Sequence, residues 1–281
     1  MMRELSCDVI SQAVERLCIK ANTMLPPQIA MLIECAAEAE ESPAGRAALS
    51  DLTENFICAG LNGLPLCQDT GMAVVFADVG QDLHITNGDF RAAIDEGVRR
   101  GYERGALRKS VVKDPLHRVN TGDNTPAVLH VRIVEGDSLH LTVAPKGFGS
   151  ENKSALKMFL PSSGTDEIAD FLVETVSEAG SAPCPPVILG VGLGGTVEQA
   201  AIIAKRALIR PADKQNPDAF YAGLERLALK RINRLGIGPM GYGGRITALA
   251  VNIEVYPTHI AGLPCVVNMS CHATRHAEAL L

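Results

Sequence analysis

Short apolar, β-branched runs alternate with amphipathic stripes along this chain of 281 residues, and that alternation most narrows what it can fold into. The strand-like runs are Met72 to Val79, Pro126 to Val134, Leu139 to Ala144, Pro186 to Val191, Thr247 to Val255 and Pro264 to Asn268. Helical spacing governs the first 60 residues, where Val9, Ile10, Ala13, Val14, Leu17 and Cys18 recur, followed by Ile29 to Cys35 and Ala47 to Ile57. It returns at about Asp89 to Arg104, Asn152 to Phe159, Asp166 to Glu178, Val197 to Ile209 and Asp218 to Leu235. Isolated strands cannot bury their faces, so the pattern predicts a mixed α/β (α+β) class in which small β-sheets are surrounded by helices. The runs at 126–134 and 139–144, parted by Glu135-Gly136-Asp137-Ser138, predict a hairpin. No repeat, low-complexity stretch or linker interrupts the chain, and 1–281 reads as a single domain.

Charge limits the partners. Twenty-six Lys and Arg against 32 Asp and Glu give a net charge of −6, which disfavours a nucleic-acid or anionic-membrane surface. A small anionic substrate would need a locally positive pocket. The most apolar stretch, Ala182 to Gly195, is broken by three prolines and four glycines, so no membrane span is expected. Met1 to Gln12 lacks the apolar core of an export signal, which predicts a cytoplasmic protein whose eight cysteines stay reduced.

Those cysteines divide by context. Cys7, Cys18, Cys35 and Cys58 lie in or beside helical stripes and Cys265 lies within a strand run, positions that suit small packing residues. Cys67 in Pro65-Leu66-Cys67-Gln68-Asp69-Thr70-Gly71, Cys184 in Pro183-Cys184-Pro185-Pro186 and Cys271 in Ser270-Cys271-His272 occupy strand-end loops, where function concentrates. None forms a C-x-x-C pair, which argues against structural zinc. Three thiolates far apart in sequence suit an iron–sulfur cluster with one iron left open, although spacing alone leaves the matter unsettled.

Other motifs are ambiguous when taken singly. Gly190 to Gly195 fits G-x-G-x-x-G before a helix capped by Thr196, with Gln199 completing a capping box, and a nucleotide-binding protein is the corresponding alternative. The acidic residue such a site needs about 20 positions on is replaced by the loop Arg210-Pro211-Ala212-Asp213-Lys214. A plain strand-to-helix turn that lets backbone approach a ligand is the simpler reading. Lys146 to Lys153, with two glycines between lysines, is either an anion cradle opening a helix or a solvated loop. Asn120 to Pro126 can be only a turn, and Arg108 only a surface residue.

In order along the chain, P-L-C-Q-D-T-G at 65–71, L-R-K-S at 107–110, N-T-G-D-N-T-P at 120–126, K-G-F-G-S-E-N-K at 146–153, C-P-P at 184–186 and C-H-A-T-R-H at 271–276 resemble the class I, iron–sulfur-dependent fumarate hydratases. The likeness is to the alpha subunit of the two-subunit form. It implies a 4Fe–4S cluster held by Cys67, Cys184 and Cys271, its open iron acting as Lewis acid in the reversible hydration of fumarate to L-malate, a step of the tricarboxylic acid cycle. It also implies that Gln68, Asp69, Arg108 and Gly149 contact a dicarboxylate, with Asp69 serving proton transfer. His259 is implied to reach the active site of a neighbouring protomer, hence an alpha–alpha dimer. A separate beta subunit with the family's C-terminal domain would complete an alpha2beta2 heterotetramer, leaving this chain inactive alone. Relatives acting on L(+)-tartrate or mesaconate use the same cluster. The D-N-T-P and G-S-E-N-K segments favour the fumarase branch, although Phe148 and Glu151 depart from that loop in single-chain members.

Overall fold

The computed structural model of the protein describes residues 3–281. In chain order the elements begin with β1 (Arg3–Ser6), α1 (Cys7–Thr23), α2 (Pro27–Ala39) and α3 (Pro43–Asn62). They continue with β2 (Met72–Gly80), β3 (Leu83–Thr86), α4 (Phe90–Arg104), β4 (Val128–Val134), β5 (Leu139–Lys146), α5 (Phe148–Glu151) and β6 (Ala155–Phe159). The last are α6 (Thr165–Ala179), β7 (Val187–Gly194), α7 (Val197–Ala207), α8 (Ala219–Ile232), β8 (Ala248–Tyr256), β9 (Leu263–Ser270) and β10 (Ala277–Leu280). Small sheets covered by helices are thus what the alternation of runs predicted. The chain divides into two compact units, one of residues 1–26, 56–148 and 275–281, the other of 27–55 and 149–274.

The first unit is built on a sheet of order β10-β5-β2-β4, with β2 antiparallel to β5 and parallel to β4. Helices α1 and α4 cover it, and Ile10, Val14, Ile94, Val98 and Tyr102 share a buried core with Val75, Leu141 and Val143. The helices can approach closely because α4 carries Gly97 and Gly101 on the facing side, where an added Cβ would lie 2.6 Å from Ser11 O and 2.7 Å from Cys18 Cβ. The expected hairpin is absent: β2 lies between β4 and β5. Residues 73–77 of β2 are buried throughout, so this strand takes the centre and leaves Val128, Val131 and Ile133 of β4 exposed at the edge. The turn residues pair with the end of β2 instead, Gly80 N–H donating to Ser138 O at 2.8 Å.

The second unit holds a sheet of order β6-β9-β7-β8, in which β7 is parallel to β8 and antiparallel to β9. Alternation along β7 serves two helical layers: Val187, Leu189, Val191 and Leu193 share a core with Leu172 of α6 and Ala228 of α8, while Gly190 and Gly192 meet α7. A Cβ on Gly192 would come within 2.0 Å of Ala200 O, and one on Gly190 within 2.2 Å of Ala204 O. These glycines therefore admit a helix against the strand, where a ligand had been the expected neighbour. The Thr196 hydroxyl makes no cap hydrogen bond, so the anticipated capping box is not formed. The helix expected over Asn152 to Phe159 does not form: the single turn α5 ends at Glu151, and residues 155–159 make β6, antiparallel to β9. Ala155 and Phe159 sit four apart and mimic a helical stripe, but pairing along β9 gives this short segment more hydrogen bonds than an isolated turn. Cys7, Cys18 and Cys265 are buried as expected, whereas Cys35 and Cys58 are exposed on α2 and α3. No helix among the described residues is long and apolar enough to cross a membrane.

Gly192→Ala should lower unfolding stability by about 3 kcal/mol, since helix and strand must separate to admit the methyl group. Gly223→Ala in α8, whose Cβ would meet nothing closer than Arg226 Nη2 at 4.0 Å, should raise it by about 0.5–1 kcal/mol. Urea midpoints of the two variants check both signs.

Candidate active site

The Cys67-Gln68-Asp69 turn joins α3 to β2 in the first unit and is held on every side. Asp69 uses all four of its polar functions. Its N–H donates to Cys67 Sγ at 3.4 Å, Oδ1 accepts from Gly71 N–H at 2.9 Å, Oδ2 accepts from Phe148 N–H at 2.9 Å, and its main-chain oxygen accepts from Arg275 Nη2 at 2.5 Å. The Oδ1 bond is an Asx turn, which closes the loop locally. Gly71 has φ +75°, and a Cβ there would collide with the Lys146 backbone at 2.7 Å, so both conformation and space demand glycine. Tyr102, fully buried, donates its hydroxyl to Thr70 O at 2.7 Å with Gly71 O at 2.9 Å beside it. Burial pushes that phenol well above its ordinary pKa, so it remains a donor.

The other motifs of this unit meet the turn. Thr70 Oγ1 donates to Arg108 O at 2.9 Å, which anchors the backbone of L-R-K-S while the Arg108 side chain stays exposed. Buried Asn124 donates through Nδ2 to Gly71 O at 3.1 Å and accepts at Oδ1 from Ser110 and Val111 N–H. Lys146-Gly147-Phe148 closes over the Asp69 carboxylate. The lysine-glycine loop thus does cradle an anion, and that anion is the protein's own. Gln68 is exposed, with Oε1 3.3 Å from Cys67 Sγ.

In the second unit Cys184 lies in a left-handed turn, φ +55°, before the cis Pro185–Pro186 bond. Its carbonyl accepts from His272 N–H at 3.3 Å, and His272 Nδ1 lies 3.1 Å from the same oxygen. A carbonyl can only accept, so the proton sits on Nδ1. The segments carrying Cys184 and Cys271 are therefore fastened together. Gly149 is exposed, and a Cβ there would meet only Ala182 O at 3.7 Å. His259 is exposed in the loop between β8 and β9, its Nδ1 accepting from Ala261 N–H at 3.2 Å.

Sequence reading missed a support beneath Cys184. Pro185 O accepts from Met240 N–H at 2.8 Å, within a loop containing Gly236, Gly238, Gly241, Gly243 and Gly244. That loop folds onto Glu40, a fully buried carboxylate receiving the N–H groups of Glu41, Ser42, Arg245 and Ile246. Burial opposes its ionisation, but the four amides prevail and hold its pKa below the usual range. The glycine density was visible; the distant glutamate gave no local signal.

The thiols sort by environment. Burial pushes Cys18 and Cys265 up to about 12, which keeps them protonated and inert. Cys67, Cys184 and Cys271 are all partly exposed on loops. Among the described residues no three His, Cys, Asp or Glu side chains gather about a point suited to a single metal ion.

The family of this mixed α/β chain, with its loop-borne thiols and braced carboxylate, is given by its likeness to known proteins. Residues 11–280 match the family described as fumarate hydratase (Fumerase), and the chain belongs to it. It is 39% identical over 275 residues, covering 95% of itself and 96% of the relative, to the putative L(+)-tartrate dehydratase subunit alpha of Methanocaldococcus jannaschii. It is 29% identical over 276 residues, covering 97% of itself and 90% of the relative, to the L(+)-tartrate dehydratase subunit alpha of Escherichia coli K12.

Because Glu40 is held ionised, with its folded pKa below the unfolded one, its stabilisation is present above about pH 4.3 and is lost as pH falls through the folded value. Glu40→Gln, which turns an amide toward amide donors, should cost about 3 kcal/mol at neutral pH. It should also flatten the acid limb of stability, a loss read by denaturant titrations across pH 3–6.

Proposed function

We propose that this chain is the alpha subunit of an iron–sulfur-dependent hydro-lyase that interconverts fumarate and L-malate, working in the cytoplasm with a beta subunit that completes the active site. The observation that carries the reading is the meeting of four family motifs on the Asp69-Thr70-Gly71 turn: Arg108 O on Thr70, Asn124 on Gly71, and Phe148 and Arg275 on the carboxylate and carbonyl of Asp69. Family membership over residues 11–280 sets the reaction class.

Cys67, Cys184 and Cys271 would hold the cluster. The donor set fits: these are soft ligands on loops, clear of the burial that silences Cys18 and Cys265, and Cys67 Sγ already receives a main-chain N–H. When bound, the group supplies Lewis acidity toward the substrate hydroxyl. The remaining work belongs to side chains. Arg108 offers a planar fork to one carboxylate of the substrate, Gln68 orients it, and Gly149 leaves room for close backbone approach. To Asp69, its carboxylate plane fixed by two N–H donors, we assign exchange of the proton at C3. His259, exposed and with its neutral-form proton on Nε2, serves a second copy in an alpha–alpha dimer, giving an alpha2beta2 assembly.

A second reading, L(+)-tartrate dehydration, is favoured by the names of the relatives. One substrate panel separates the two. After anaerobic reconstitution with iron and sulfide, the alpha–beta pair is expected to turn over malate faster than tartrate. The opposite order would assign the chain to tartrate. Asp69→Asn should lower kcat by about 10²–10⁴-fold, and serine at any of the three cysteines should abolish the brown absorbance.

A further inference from the structure

Arg275 has no assigned part in the reaction, yet it is among the most enclosed charges of the described residues, 5% exposed. Its hydrogen bonding to described residues is confined to the Asp69 carbonyl, and its enclosed Nε has no partner among them. Burying a guanidinium is costly unless its charge is answered. Satisfying a carbonyl does not require a charge. Asn124 and Tyr102 do so for the next two carbonyls of the same turn with neutral donors. What the turn does contain is an anion, the Asp69 carboxylate. The 2.5 Å bond from Arg275 Nη2 to Asp69 O puts the guanidinium on the residue that carries that carboxylate.

We propose that Arg275 is a positioning residue for the reaction proposed above: it clamps the Asp69 carbonyl and counters the negative charge of the Cys67–Gly71 turn, so that carboxylate and thiol keep their geometry. The clamp passes through one residue. Arg275 holds Asp69 O, Asp69 N–H holds Cys67 Sγ, and Asp69 Oδ1 holds Gly71 N–H. Arg275 also follows Cys271 by four residues, so the C-terminal motif supplies one expected cluster ligand and the brace for another. The idea rests on the hydro-lyase reading only for its kinetic consequence; the clamp itself is testable without substrate or cluster.

Hydrogen exchange on the cluster-free chain tests the clamp. In Arg275→Met the amides of Asp69 and Gly71 should exchange roughly tenfold faster, the ratio expected for loss of one charge-assisted hydrogen bond, while those of β7 stay at the wild-type rate. Arg275→Lys, which keeps the charge and can reach one carbonyl, should fall between the two and serves if the methionine variant does not fold. Unchanged exchange at both amides overturns the proposal, as does equal acceleration in β7, which would make Arg275 a support of the whole fold. In the reconstituted alpha–beta pair, Arg275→Lys should lower kcat with KM within about twofold of wild type. A raised KM with unchanged kcat would instead make Arg275 a substrate ligand and overturn the positioning role. If the wild-type pair acts on neither malate nor tartrate, the functional reading fails while the exchange result stands.

Discussion

The order of the first unit depends on Asp69. One residue spends its amide on Cys67, its two carboxylate oxygens on Gly71 and Phe148, and its carbonyl on Arg275. Each bond is modest in net terms, about 1 kcal/mol for neutral donors and more for the guanidinium, but the four converge on one residue and restrain its backbone and its side chain together. Segments up to 206 positions away in the chain are thereby fixed relative to a turn of five residues. The lysine-glycine loop shows the consequence. Its Phe148 amide meets an internal carboxylate, which ties the loop to the turn that carries Cys67.

A buried carboxylate organises the second unit in a comparable way. Glu40 gathers the amides of its neighbours Glu41 and Ser42 and of distant Arg245 and Ile246, and the glycine-rich loop folded on it reaches Pro185, next to Cys184. Glycine is required where backbone must come this close: a Cβ on Gly244 would lie 2.6 Å from Glu40 Oε1. Both devices meet the cost of enclosing a charge with several N–H groups converging on it. In each unit the residues beside a loop cysteine are braced from outside the motif that contains it.

Composition and the order of motifs carried the fold class and the family. The mixed α/β character followed from short runs and stripes, because burial of one face has the same period in any tertiary context. Edge relations were out of reach. Nothing local says that β2 separates β4 from β5, since strand order follows from which strand is apolar on both faces once helices are laid over the sheet. Asn152 to Phe159 failed as a helix for a similar reason, its stripe being too short to outweigh pairing with β9. The glycines at 190 and 192 were conspicuous, but their use against α7 became visible only with the helix in place.

The sequence by itself determined which residues are chemically able to act: three cysteines on loops, an aspartate two positions from the first, an arginine and a glycine loop in fixed order. Residue type and the nearest neighbours along the chain are enough for that. Only the tertiary structure decided what holds them, because Asp69 and Glu40 add to their neighbouring amides partners from remote segments, Phe148 and Arg275 for one and Arg245 and Ile246 for the other. It took folding to turn Arg275 from the fifth letter of a motif into a buried charge on the Asp69 carbonyl, and Glu40 from one of four acidic residues between 34 and 41 into the anchor of a loop. Hydrogen bonds between distant segments are set by packing, and packing is a property of the whole core.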